Sequence, residues 1–122
     1  MLTEAERSVV TTAIKHFNHD RYQLFAYVVM DNHVHVVFRL LKNNQLSSVL
    51  HTWKSFTANQ LQRKHSRVGS IWQKDYLEKI IQTEAVLLQK MEYVLNNPRK
   101  RWPKVSEYKW AEWFPIEFIA DE

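Results

Sequence analysis

The stretch YQLFAYVVMDNHVHVVFRL, Tyr22 to Leu40, constrains the fold more than any other part of the chain. Tyr22 to Met30 is rich in aromatic and β-branched residues and reads as a strand. Asp31 and Asn32 follow, and both tolerate the left-handed backbone that a two-residue hairpin turn requires. From His33 to Leu40 the chain alternates, the period of a second strand. An antiparallel hairpin is therefore predicted. Side chains on its second strand divide between two faces. Val34, Val36, Phe38 and Leu40 share one, and His33, His35, Val37 and Arg39 share the other. The first face is the more apolar.

Helices are predicted on either side. Thr3 and Glu6 have capping-box spacing, which starts a helix over about Glu4 to Phe17 with Val9, Val10, Ile14 and Phe17 as its buried stripe. Leu46, Val49, Leu50, Trp53, Phe56 and Leu61 recur at helical spacing and predict a long helix to about His65. SRVGS breaks it. Ser70 to Ile81 reads as a further strand, and Thr83 caps a helix that runs to about Asn97, where Pro98 follows. The order helix, strand, strand, helix, strand, helix predicts an α+β domain, an antiparallel sheet with helices packed on it. At 122 residues a single domain over 1–122 is expected, with 98–122 as a basic tail. That tail holds three of the five tryptophans and is expected to wrap against the body.

Composition excludes several chemistries. With no cysteine, disulfides, thiolate metal sites and a cysteine nucleophile are ruled out. A P-loop or dinucleotide fingerprint needs several glycines, and Gly69 is the single glycine present. The N-terminal MLTEAERSVV lacks a signal-peptide pattern, and the longest apolar run, Leu24 to Met30, is too short to cross a bilayer. A soluble, cytoplasmic protein is expected.

Lys and Arg outnumber Asp and Glu by 17 to 13. The excess collects in KNNQ, WKSF, QRKHSR and NNPRKRWPK, which is either a solvated face or a basic surface suited to phosphate backbones. On the second reading, Lys54, Arg63, Lys64 and Arg67 neutralise phosphates from the long helix and just after it. Arg99, Lys100 and Arg101 do so after the last helix. Trp102, between Arg101 and Pro103, is the better candidate for stacking on unpaired bases, with Trp110 a further one. Trp53 lies in an apolar helical stripe and is assigned to the core, and Trp72 to packing.

Two places could carry chemistry. His33 and His35 point the same way, ~7 Å apart along the strand, so two neutral imidazoles could converge on one divalent cation. Taken alone, such a pair reads first as two half-buried histidines bonded to their neighbours. A metal site needs a third ligand. Tyr93 and Asn97 stack one turn apart on one helix face, and an asparagine carbonyl is a reasonable ligand for Mg²⁺ or Mn²⁺. The plainer alternative is a surface or core tyrosine, with Asn97 simply ending the helix.

In combination these stretches resemble one family. MDNHVHVVF resembles the MPNHVHLL-type core of the HUH single-tyrosine transposases, and IWQKDYLEKII is similar to their W-Q-x-x-Y-x-x-x-I strand. LLQKMEYVLNNPRKRW resembles the helix that carries their nucleophile, with its Y-I-x-x-N-P ending. EYKWAEW is similar to the tail of the REP-associated tyrosine transposase branch. The likeness runs from about Leu2 to Trp113. It implies a ferredoxin-like fold, His33 and His35 as metal ligands, Asn97 as the third ligand and Tyr93 as the nucleophile. It also implies a divalent metal, Mg²⁺ or Mn²⁺, and single-stranded DNA with a hairpin as substrate, acted on by a monomer or homodimer. The activity implied is a single-stranded DNA endonuclease and strand transferase with a 5′-phosphotyrosine intermediate. Two departures stand out. This chain starts at the first helix, without the family's first strand, and Asp31 replaces the family's proline. The competing reading is a domesticated or truncated relative that binds hairpin nucleic acid without cutting it.

Overall fold

The computed structural model describes residues 2–31, 33–41, 43–61, 77–79, 84–103 and 107–115. Helix α1, Glu4–His16, begins with the expected capping box: Glu6 N–H donates to Thr3 Oγ1 at 3.1 Å, and Thr3 N–H donates to Glu6 Oε1 at 2.9 Å. Strands β1, Tyr22–Val29, and β2, Val34–Leu40, pair antiparallel from Tyr22 opposite Leu40 to Val29 opposite Val34. Met30 N–H donates to His33 O at 2.8 Å and closes the hairpin; Asn32 of the expected turn lies outside the described residues.

All eight residues of β1 are buried, because helices cover both faces of the sheet. One core takes Tyr22, Leu24, Tyr27 and Val29 of β1 and Val34, Val36 and Phe38 of β2. Against these pack Val10, Ala13 and Ile14 of α1 and Val49, Leu50 and Trp53 of helix α2, Leu46–Leu61. The other core joins Phe25, Ala26, Val28, Met30 and Val37 to Leu87, Met91 and Val94 of helix α3, Glu84–Leu95. A bulge makes this possible. The register steps from Leu24 opposite Phe38 to Ala26 opposite Val37, so Phe25 is an extra residue. Leu24 and Tyr27, three apart, therefore both face the α1–α2 layer.

Strand β3, Leu77–Lys79, runs parallel to β2, and strand β4, Ala111–Trp113, runs antiparallel to β1. The sheet order is β3-β2-β1-β4. The α+β architecture is the expected one, with an antiparallel β2-β1-β4 unit and one parallel edge. Among the described residues no strand precedes α1. Leu2 N–H instead donates to Asp31 O at 2.7 Å, beside the hairpin turn.

Two details differ from the sequence reading. The tail adds a strand to the sheet, fastened by Phe114 N–H to Phe25 O and Val29 N–H to Trp110 O, both 2.8 Å. Three residues are too few to show a period. Asn97 does not end α3. It opens a further short helix, α4, Asn97–Arg101, with Pro98 in its first turn, where a missing N–H costs nothing. The expected end of α2 beyond Leu61, the SRVGS break, most of the predicted strand from Ser70 to Ile81, and Thr83 all lie outside the described residues.

The α1–α2 core is organised around one phenol. Tyr22 Oη donates to Ile14 O and accepts from Trp53 Nε1 at 2.9 Å, so three elements meet at a single buried atom. Burial pushes that phenol well above the usual tyrosine range. The rings of Tyr22, Phe38 and Trp53 pack edge to face, with centroids 5.3–5.7 Å apart. Tyr22→Phe removes the hydroxyl and leaves both partners buried without it. It should cost about 1–3 kcal/mol for each stranded group, read as a lower urea midpoint at an unchanged slope. A loss under about 0.5 kcal/mol would show that the phenol is not a structural junction.

Candidate metal and nucleophile site

The alternation of β2 turns His33 and His35 away from the α1–α2 core and toward α3, on the side where Val37 packs. Their rings lie edge to face with centroids 4.8 Å apart. The ring of Tyr93 approaches His35 at 6.0 Å and is itself edge-on. Tyr93 is 48% exposed although its neighbours Met91 and Val94 are buried, so the phenol stands at the surface beside the histidines.

Asn97 supplies the fourth side. Its Nδ2 donates to Tyr93 O at 2.9 Å and Val94 O at 3.4 Å, which pairs carbonyls at the end of α3. With its donors so directed, the amide presents oxygen to the other side. The Asn97 amide lies close enough to the His33 side chain to favour the charged imidazole. Asn97 is only 8% exposed, so its amide is packed into the fold. Tyr93 and Asn97 share a stripe because the chain stays helical between α3 and α4. Asn96 has φ −86° and ψ −7°, and its N–H donates to Glu92 O at 3.0 Å.

Burial is the largest influence on His33 and lowers its pKa below the ordinary histidine value, with the Arg101 charge acting the same way. Asn97 and Asp31 push in the opposite direction and only partly offset this. The net effect favours the neutral ring, the form that has a lone pair to offer a metal.

The donor set fits a divalent cation. Two imidazoles sharing one cation through metal–nitrogen bonds of ~2.1 Å bring their centroids to about 4.5–5 Å, which is the spacing of His33 and His35. Among the described residues no group of three or more His, Cys, Asp and Glu gathers. The Asn97 amide oxygen could join the pair as a donor of another type. Imidazole with amide oxygen suits Mg²⁺ or Mn²⁺ better than a thiophilic ion.

Around this set the structure sorts the basic and aromatic candidates. Arg101 holds Asp31 in a fork, Nε to Oδ1 at 2.7 Å and Nη2 to Oδ2 at 2.8 Å, tying α4 to the turn that precedes His33. The sequence marked Asp31 only as a turn residue. Lys100 Nζ lies 4.4 Å from the centre of the Tyr93 ring. Arg99 is exposed. Lys54 belongs to α2 and so to the opposite layer from the histidines, while Arg63, Lys64 and Arg67 lie outside the described residues. Trp102 is stacked on Tyr108 at 5.5 Å, with the Arg101 guanidinium 5.4 Å from its ring. Its ring thus already serves in packing. Trp110 is buried under Arg7, 4.3 Å away, which takes it out of the candidates for base stacking. Trp53 is in the core as expected.

Fold and site together define an α+β domain that sets a histidine pair on a strand against a tyrosine on a helix. Residues 2–97 match the family described as Transposase IS200 like. That span takes in the hairpin, both histidines, Tyr93 and Asn97, and the chain belongs to this family. Membership gives it a transposase-like role with DNA as partner. No curated protein and no solved structure matches the chain. No helix among the described residues is long and apolar enough to cross a membrane.

The Asp31–Arg101 fork is a close, partly buried pair with one hydrogen bond, the kind of ion pair whose contribution is measurable. A double-mutant cycle with Asp31→Ala and Arg101→Ala should give a coupling of about 1 kcal/mol in unfolding. A coupling below about 0.3 kcal/mol would mean that solvent competes the pair away.

Proposed function

We propose that this chain is a metal-dependent single-stranded DNA endonuclease and strand transferase. Tyr93 is its nucleophile, and His33, His35 and Asn97 hold Mg²⁺ or Mn²⁺. The observation that carries the reading is the meeting of two elements: the His33–His35 ring pair at the start of β2, and Tyr93 of α3 beside His35, with Asn97 one turn further along the same stripe. The family supports a transposase-like role, and the donor chemistry supports the cation. The likeness of EYKWAEW to the tail of the REP-associated branch supports placing the protein there, with a hairpin beside the cut.

The chain's own groups divide the reaction between them. Tyr93 Oη attacks phosphorus of a phosphodiester and loses its proton to solvent. The bond from phosphorus to the 3′ oxygen breaks, and that oxygen takes up a proton to become a free 3′-OH. The DNA on the other side of the cut stays on Tyr93 as a 5′-phosphotyrosine. A bound divalent cation supplies Lewis-acid stabilisation of the charge on the phosphoryl oxygens. His33, just before β2, and His35, within it, would fix where that charge is met. Asn97 and Tyr93, on one helical stripe, fix the nucleophile relative to it, so that much of the barrier is lowered by positioning. The exposed phenol admits a strand from solvent. Attack on the phosphotyrosine by another 3′-OH reverses the chemistry and joins new ends without an external energy source.

The test uses single-stranded hairpin DNAs from the flanks of the chain's own gene, labelled at either end, with and without Mn²⁺. A covalent adduct that retains the DNA 3′ of the cut, needs metal and disappears in Tyr93→Phe is expected. His33→Ala should slow adduct formation by about 100-fold or more. Tight binding with no adduct on any flank would replace this reading with a hairpin-binding protein that does not cut.

A further inference from the structure

α4 carries three successive cations, Arg99, Lys100 and Arg101, and the structure gives them different settings. Arg99 is exposed. Arg101 is committed to Asp31 and lies against Trp102. Lys100 is set against the ring of Tyr93, its Nζ 4.4 Å from the ring centre. The helical path explains why. Lys100 N–H donates to Asn96 O at 3.3 Å, so the turn after the Asn96 break is still helical. Positions 93, 97 and 100 then fall on one stripe, and a helical side chain leans back toward the N-terminus. A tyrosine, an amide oxygen and an ammonium are thus strung along one edge of the site.

Resting on the reading above, we infer that Lys100 is a catalytic residue that binds the scissile phosphate, donating N–H to one of its non-bridging oxygens. The face of an aromatic ring holds a lysine only loosely, and at an exposed position the ammonium keeps much of its hydration. A phosphate arriving for attack by Tyr93 Oη must come within reach of the same ammonium. It offers a full negative charge in place of a quadrupole, so Lys100 transfers from the ring to the phosphate. A charge-assisted bond to the oxygen on which charge grows is stronger in the transition state than in the ground state. Lys100 stays protonated throughout. The phenol proton leaves to solvent and the 3′ oxygen gains one, so no further reactant is needed.

This assignment differs from general phosphate neutralisation in what it predicts. A lysine that only follows the backbone weakens binding and lowers its salt dependence, leaving the rate at saturation alone. Lys100 at the scissile phosphate mainly changes the rate at saturation.

The experiment is single-turnover adduct formation with saturating hairpin oligonucleotide and Mn²⁺, beside Kd for the same oligonucleotide by fluorescence anisotropy. Lys100→Ala should lower the saturating rate by about 10–100-fold while changing Kd less than about 3-fold. Lys100→Arg should recover part of the rate, because charge is kept and geometry is not. A methylphosphonate at the mapped cut, in the isomer that removes the oxygen facing Lys100, should bring wild type and Lys100→Ala to the same rate. A saturating rate for Lys100→Ala within about 2-fold of wild type overturns the inference, whether or not binding weakens. If the wild type itself forms no adduct, the underlying reading fails and takes this one with it. That outcome differs visibly from a wild type that reacts and a variant that reacts equally well.

Discussion

Successive side chains of β2 leave the sheet on opposite sides, and each side has a helical layer to receive them. Val34, Val36 and Phe38 go to the layer of α1 and α2, while His33, His35 and Val37 go to the layer of α3. A slip of one residue would reverse the assignment, driving imidazoles toward Trp53 and turning valines to the site. Register is therefore the constraint on which the rest depends. The Met30 N–H to His33 O bond that closes the hairpin sets it, and β1, buried along its whole length, holds it. The bulge at Phe25 lets one strand serve two cores without disturbing the pairing near the histidines, where Val28 stands opposite His35.

The second half of the site is held by the join between two helices. If α3 continued as a long uninterrupted helix or stopped dead at Pro98, Asn97 would have no reason to be buried. Instead a brief change at Asn96 lets α4 open at Asn97 with Pro98 in its first turn, and Asn97 ties back to the carbonyls of Tyr93 and Val94. Its amide then serves two ends at once. One closes a helix, and the other meets His33. The Asp31–Arg101 fork brings the same short helix to the hairpin turn, so strand and helix are linked on both sides of the histidine pair. This is the kind of support that fixes a constellation more tightly than first contacts alone.

Much of this was readable from the chain. The hairpin was, because alternation with period two is a strong signal when a turn sits beside it, and it put both histidines on the correct face. Tyr93 and Asn97 were, because spacing of four on a helix needs no tertiary knowledge. The family likeness rested on the same residues, and membership holds over residues 2–97. What escaped was long-range or depended on a small backbone change. Asp31 and Arg101 stand 70 positions apart, and nothing local marks them as partners. Lys100 could be placed over Tyr93 only if the helix was known to resume after Asn96. Trp110 and Trp102 looked like stacking platforms in a basic tail. Burial of the first and the Tyr108 stack on the second come from how that tail folds back along β1.

The central claim is that His33 and His35 hold one divalent cation beside Tyr93. Electron spin-echo spectroscopy of the protein loaded with one equivalent of Mn²⁺ tests it most directly, because imidazole nitrogens bound to manganese modulate the echo and oxygen ligands do not. The account predicts modulation from two nitrogens in the wild type, from one in His33→Ala or His35→Ala, and from two in Tyr93→Phe. Manganese bound without nitrogen modulation, or modulation that survives loss of both histidines, would contradict it.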